Sequence, residues 1–208
     1  MKAFITLIRR NPGAARFLSA VIALMTVIGL VRHVWFLWIY LPAMAACIGI
    51  VTFIDHRRGP IPKVLVWLLA VWATLHLAGG LFPNPSGDSE ILYGMWLIDG
   101  VLRYDQVVHG FGIATVTAVL AHAARDTERP LFWGFILAQV VGLVNETAEN
   151  LFALFVDESN VGDIVNTAWD MAWHVIGAGV ATLWMVRRGI PGQVYGEGYG
   201  LAPEQAGP

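Results

Sequence analysis

Six stretches of this chain are apolar for long enough to cross a lipid bilayer, and nothing else in it limits the possible folds as severely. A spanning helix needs about 20 predominantly apolar residues. Runs near that length occupy approximately 14–31, 34–54, 63–82, 105–123, 130–155 and 163–186. Only 13% of the 208 residues are charged, against about 25% in an ordinary soluble domain. Breakers separate the runs: "DHRRGPIP" follows the second, "FPNPSG" the third and "ARDTERP" the fourth. Pro62 and Pro130 stand near helix starts, where a missing N–H does no harm. The expected fold is therefore all-α and integral to the membrane, a bundle of about six transmembrane helices. Residues 1–188 form a single polytopic domain, and 189–208, rich in Gly and Pro, form a flexible tail. No internal repeat is evident.

The basic residues set the expected direction. Lys2, Arg9, Arg10, Arg16, Arg57, Arg58, Lys63, Arg125, Arg129, Arg187 and Arg188 fall on one side, and only Arg32 and Arg103 on the other. Both termini are then cytoplasmic, and the 83–104 and 156–162 loops lie outside. The N-terminus lacks a clean small-residue cleavage site and reads as an uncleaved first span. Cys47, the one cysteine, reads as a buried thiol. Within the outer loop, "ILYGMWLIDGVL" is apolar but too short to span. It is expected to lie in the interface as a partly buried helix.

Ionisable residues inside spans are rare and mark functional sites by default. Here they crowd into the last three. Span four opens with Asp105 and His109; span five carries Asn145, Glu146, Glu149 and Asn150; span six carries Asp163, Asn166, Asp170 and His174. His76 stands alone in span three. Spacings of three and four put each group on one helix face. At 1.5 Å per residue, His109 lies roughly 6 Å below the outer end of its span, and Glu146, Glu149, Asp170 and His76 at roughly 9–14 Å. His174 is deeper, at about 16 Å.

Three readings suit such a layer. In the first it binds metal: Asp105, His109, Glu146, Glu149, Asp170 and His174 match the ligand inventory of di-metal carboxylate bundles. That mix suits Zn, Mn or Fe, with His76, Asn150, Asp163 and Asn166 orienting the ligands. In the second it relays protons or ions. In the third it is interhelical glue, the plain reading for Asn145, for Asp163 as an N-cap and for His76. Four ionisable groups (His109, Glu146, Glu149, Asp170) would be costly glue, since Ser, Thr or Gln would serve with less desolvation. Paired His residues also ligate haem, but the surplus of carboxylates argues against it. No G-x-S-x-G, P-loop, Rossmann or nucleic-acid pattern is present.

At "RYDQVVHG", "NETAEN" and "GDIVNTAWDM" the chain resembles the YjdF-like family of small bacterial inner-membrane proteins. A weaker similarity is to VanZ-like proteins, which share a D-x-x-x-H at the head of a span. The resemblance covers roughly residues 60–186. It implies a multi-pass protein of the bacterial inner membrane, with Asp105, His109, Glu146, Glu149, Asp163 and Asp170 in the family pattern. That pattern has a second acid where this chain carries Asn166, and does not include His174. It implies no reaction.

The reading that follows is a multi-pass membrane protein whose acid/His cluster holds one or two divalent metals in the outer half of the bilayer. If catalytic, it is a metal-dependent membrane hydrolase or di-metal carboxylate enzyme acting on a lipid-linked or membrane-embedded substrate. The alternative is a permease, or an accessory subunit partnered with other membrane proteins, with the cluster as pathway or glue.

Overall fold

The structure, a computed structural model, describes residues 1–34, 37–87, 89–154 and 164–188. Seven helices carry most of the described chain: α1 Lys2–Arg10, α2 Pro12–Val31, α3 Leu37–Arg57, α4 Lys63–Leu81, α5 Tyr104–Ala123, α6 Pro130–Ala153 and α7 Ile164–Arg187. Between α4 and α5 lie a 3-10 turn, Leu92–Gly94, and a two-stranded antiparallel ribbon, β1 Trp96–Ile98 with β2 Leu102–Arg103. The expected tail and the 156–162 loop lie outside the described residues.

Five helices, α2 to α6, are long and apolar enough to cross a membrane. Their surfaces agree, for Leu24, Val27, Trp38, Phe53, Val144 and Leu143 are exposed in the isolated chain. Hydrocarbon offers backbone groups no partner, which is why such runs pair theirs internally as helices. α7 has 24 residues, about 36 Å of helix. Its own polar stripe lowers its apolarity below that of the other five.

α5 is the axis of the molecule. Some 67% of its most apolar stretch is buried, against 6% for α3, and α4, α6 and α7 all pack on it. It meets α7 where a Cβ at Gly177 would collide with the carbonyl oxygen of Gly110, so the two backbones touch. Small residues allow that approach. Immediately beneath, Ile113, Ala138 and Ala178 form an apolar plug shared by α5, α6 and α7. At the end of the bundle where α3 stops, Ile54, Ile61, Leu65, Val119 and Met185 form a second core. There Arg10 pairs with Asp55, which is 4% exposed and also accepts the Ile61 N–H at 2.9 Å.

One local element is new and two expectations are corrected. A short helix precedes the first span: Asn11 and Pro12 separate it from α2, and α1 forms with Leu7 buried and Phe4, Ile5 and Ile8 exposed. The interfacial segment is a hairpin rather than a helix, because Gly100 takes a φ of 65° and closes a turn from the Ile98 carbonyl to the Val101 N–H at 2.9 Å. Asp-Gly is a strong hairpin turn, since Gly supplies the positive φ freely. Cys47 is exposed on α3 rather than buried in the bundle.

Candidate functional site

The end of the bundle that carries the hairpin gathers the polar residues. α5 starts cleanly because the Gln106 side-chain oxygen accepts the Arg103 N–H at 2.9 Å, pairing a group the first turn leaves free. Asp105 then stands one turn before His109, and its Oδ1 lies 3.1 Å from His109 Nε2. The other ring nitrogen turns toward the neighbouring helices. His109 Nδ1 lies 2.8 Å from His174 Nε2 and 3.2 Å from Glu146 Oε1, and those two atoms are 3.6 Å apart. The imidazoles stack with centroids 5.1 Å apart. Three helices thus supply one atom each to a small triangle.

Burial makes that triangle chemically significant. Glu146 is 3% exposed and His174 1% exposed. An ionised Asp105 accepts the Nε2 proton of His109, which leaves Nδ1 a lone pair. A proton on His174 Nε2 can answer that lone pair, but Glu146 Oε1 is then left without a hydrogen bond of good geometry. Asp170 Oδ1 and His174 Nδ1 are likewise buried and unpartnered among the described residues. Leaving such groups unpaired costs about 1–3 kcal/mol each, more if charged.

Asp170 goes elsewhere than its helix neighbour His174. Ligand atoms of Asp105, His109 and Asp170 lie within 4.8 Å of one another, as do those of His109, Glu146 and His174. His109 is common to both sets, and either can hold a metal ion. Asn166 donates to Asp170 Oδ2 at 2.6 Å and accepts from Arg103 at 2.9 Å. Asn150 ties α6 to α7 by donating to the Glu146 carbonyl at 2.8 Å and to Thr167 Oγ1 at 3.1 Å.

Two candidates stand apart. Glu149 is held by Asn145 at 2.6 Å and joins neither set. His76 is boxed by Tyr40, Trp72 and Tyr93. Tyr93 contacts its Nδ1 and donates to its carbonyl at 3.0 Å. A cavity of about 50 Å³, lined by Trp72, Asn145, His109 and His174, separates His76 from the triangle. Asp163 lies outside the described residues.

His174 is not the deep outlier that its place in span six suggests, since its ring meets that of His109. Distance from a helix's own end does not fix its height against a neighbour: α5 and α7 are registered by the Gly110–Gly177 crossing, which brings His109 and His174 level. Gly142 on α6 carries no signal in the sequence, yet it lies against the cluster: a Cβ there would strike the His174 ring. In the sequence Arg103 shows only as a charge on the sparsely basic side. It lines a second cavity with Trp96, Gln106, Asn166 and Trp169.

Fold and site together define a multi-pass helical membrane protein with a buried imidazole–carboxylate cluster at one end of its bundle. The chain belongs to the predicted membrane protein family DUF2238, whose sequence model matches residues 14–189, from the first turn of α2 through α7. No curated protein and no solved structure matches it.

Proposed function

We propose that the protein is a metal-dependent enzyme of the bacterial inner membrane, of the YjdF-like kind, acting on a lipid-linked or membrane-embedded substrate. α2 to α7 are six spans of one domain, both termini and the 189–208 tail are cytoplasmic, and the cluster opens to the outer leaflet. His109 Nδ1, Glu146 Oε1 and His174 Nε2 are the metal ligands. Their separations of 2.8, 3.2 and 3.6 Å bracket the ~3.3 Å that atoms bonded at 2.0–2.1 Å to a tetrahedral zinc keep from one another. That triangle, backed by Asp105, is the observation that carries the reading. Two imidazoles and a carboxylate leave a fourth position for water, and Zn, Mn and Fe all accept the set.

Each neighbouring residue then has a task. Asp105 holds His109 in the tautomer and orientation that ligation needs. Asp170, with Oδ1 buried and unpartnered and Oδ2 held by Asn166, stands with Asp105 and His109 and would serve as a proton acceptor at the edge of the site. Asn150 and the Asn166–Arg103 link keep α6 and α7 in register with α5. Metal at this position supplies a water acidic enough to ionise near neutral pH.

A conducting pathway is less well supported. Below His174 the buried residues on α5, α6 and α7 are mainly apolar, among them Ile113, Val119, Ala138, Ala178, Ala181 and Met185, with the imidazole of His122 buried near the far end of α5. The hydroxyls of Thr115 and Thr117 bond to carbonyls of their own helix. A relay crossing the membrane would need polar groups where this plug sits.

Metal analysis of protein purified in detergent without chelator tests the proposal. The expected result is about one equivalent of divalent metal in the wild type, lost in His109→Asn and Glu146→Gln. Wild-type protein that holds no metal, and whose thermal unfolding is unmoved by added Zn, Mn or Fe, would end this reading.

A further inference from the structure

A cavity of about 320 Å³ lies beside the cluster, between the hairpin and the start of α7. Trp96, Gly100 and Val101 form one wall, Val165, Asn166 and Trp169 the other, with Arg103 and Gln106 at the base. Arg103 is the only charged residue among these eight. Its guanidinium stacks over the Trp96 ring at 4.4 Å, and one terminal nitrogen donates to Asn166. Its Nε is buried without a hydrogen-bond partner, and no carboxylate among the described residues lies within ion-pair distance. A buried N–H of a permanent cation is an expensive group to leave unanswered.

The charge pattern makes this arginine stand out. On the proposed topology only Arg32 and Arg103 face outward, and Arg32 is occupied with the Leu81 carbonyl at 2.6 Å. Arg103 is the outward cation whose unanswered donor is buried. The mouth around it is apolar and membrane-facing: Ile98, Val101, Ile164, Val165 and Trp169 are each more than half exposed. A stacked guanidinium is rigid, weakly hydrated and matched to the oxygens of a phosphate. Aromatic residues at this level suit the polar–apolar boundary of a bilayer. The volume admits a head group and excludes acyl chains, which the exposed apolar rim would meet instead.

We infer that this cavity binds the phosphate of an anionic lipid head group through Arg103, with the Asn166 bridge setting the ligand beside Asp170 and the metal position. The inference rests on the proposed function, since it names the substrate class of that site. Binding itself needs no metal, so the two can fail separately.

The test titrates protein reconstituted in phosphatidylcholine nanodiscs, zinc-loaded or chelated, with short-chain phosphatidic acid, short-chain phosphatidylcholine or inorganic phosphate. Phosphatidic acid is expected to bind at least about tenfold more tightly than phosphatidylcholine, and Arg103→Gln to lose about tenfold or more of that affinity. Val165→Trp, which fills the cavity from the opposite wall, is expected to weaken binding similarly with metal content unchanged, and decides the matter if Arg103→Gln does not fold. Inorganic phosphate binding as tightly as phosphatidic acid, still dependent on Arg103, would assign the same chemistry to free phosphate. Chelated protein that keeps Arg103-dependent binding upholds the cavity even if no metal site exists. Phosphatidic acid binding no better than phosphatidylcholine, or equally well to both variants, overturns the proposal.

Discussion

Asp105 touches none of the proposed ligand atoms except through the His109 ring, and that makes it the most informative residue to change. An outer partner of this sort typically contributes 10–100-fold to metal affinity by fixing tautomer and orientation. Asp105→Asn is expected to weaken metal binding by about that factor, read by competition with a chelator, while helix content stays constant. A merely structural aspartate would leave metal affinity alone. Gly142→Ala makes a complementary case, because its new methyl meets the His174 ring. Metal content should fall although no ligand has been replaced. At this scale the sequence was a good guide to residue types and a poor one to partners. Asp170 and His174, four residues apart on one face, looked like a pair; in the fold they serve different ligand sets. Glu149 looked equivalent to Glu146, yet three residues fall short of a full turn and leave it bonded to Asn145. A stripe says which face is polar and cannot say which neighbour each atom meets.

Among elements, α5 carries the most consequence. Its contact with α7 depends on two glycines, so Gly177→Leu must push the helices apart. Overpacking of this kind commonly costs about 1–3 kcal/mol, and here it should also separate His109 from His174. A lowered unfolding temperature in detergent together with lost metal is the expected result; lost stability with metal retained would show that the crossing does not register the site. α1 provides a simpler prediction. Arg10→Ala strands the buried carboxylate of Asp55 with the Ile61 N–H alone. Because Arg10 is itself about a third exposed (35%), the expected loss is modest, roughly 1–3 kcal/mol, measurable as a fall in thermal stability. The hairpin was legible in principle at Asp99-Gly100. Its apolar neighbours outweighed the turn signal because interfacial helices and membrane-facing hairpins present similar compositions.

For the whole molecule the central prediction is topological. With Cys47 replaced by Ser, Asp99→Cys in the hairpin is expected to react with a membrane-impermeant maleimide in intact cells. Glu128→Cys, between α5 and α6, should react only after permeabilisation. The reverse pattern would invert the bundle and turn the cluster and the Arg103 cavity toward the cytoplasm. The family match across residues 14–189 takes in all six long helices except the first two residues of α2. What the amino-acid order alone determined is the class of fold, the approximate extent of the long helices and the polar faces of the last three. These depend on local quantities: apolar length against bilayer thickness, and residue spacing against the 3.6-residue turn. Only the tertiary structure decided that His174 joins His109 and Glu146, that Glu149 and His76 stand aside, and that Arg103 faces a cavity. Those outcomes depend on the relative height and rotation of α5, α6 and α7, set by glycines that let one backbone touch another, and no single helix encodes the register of its neighbours.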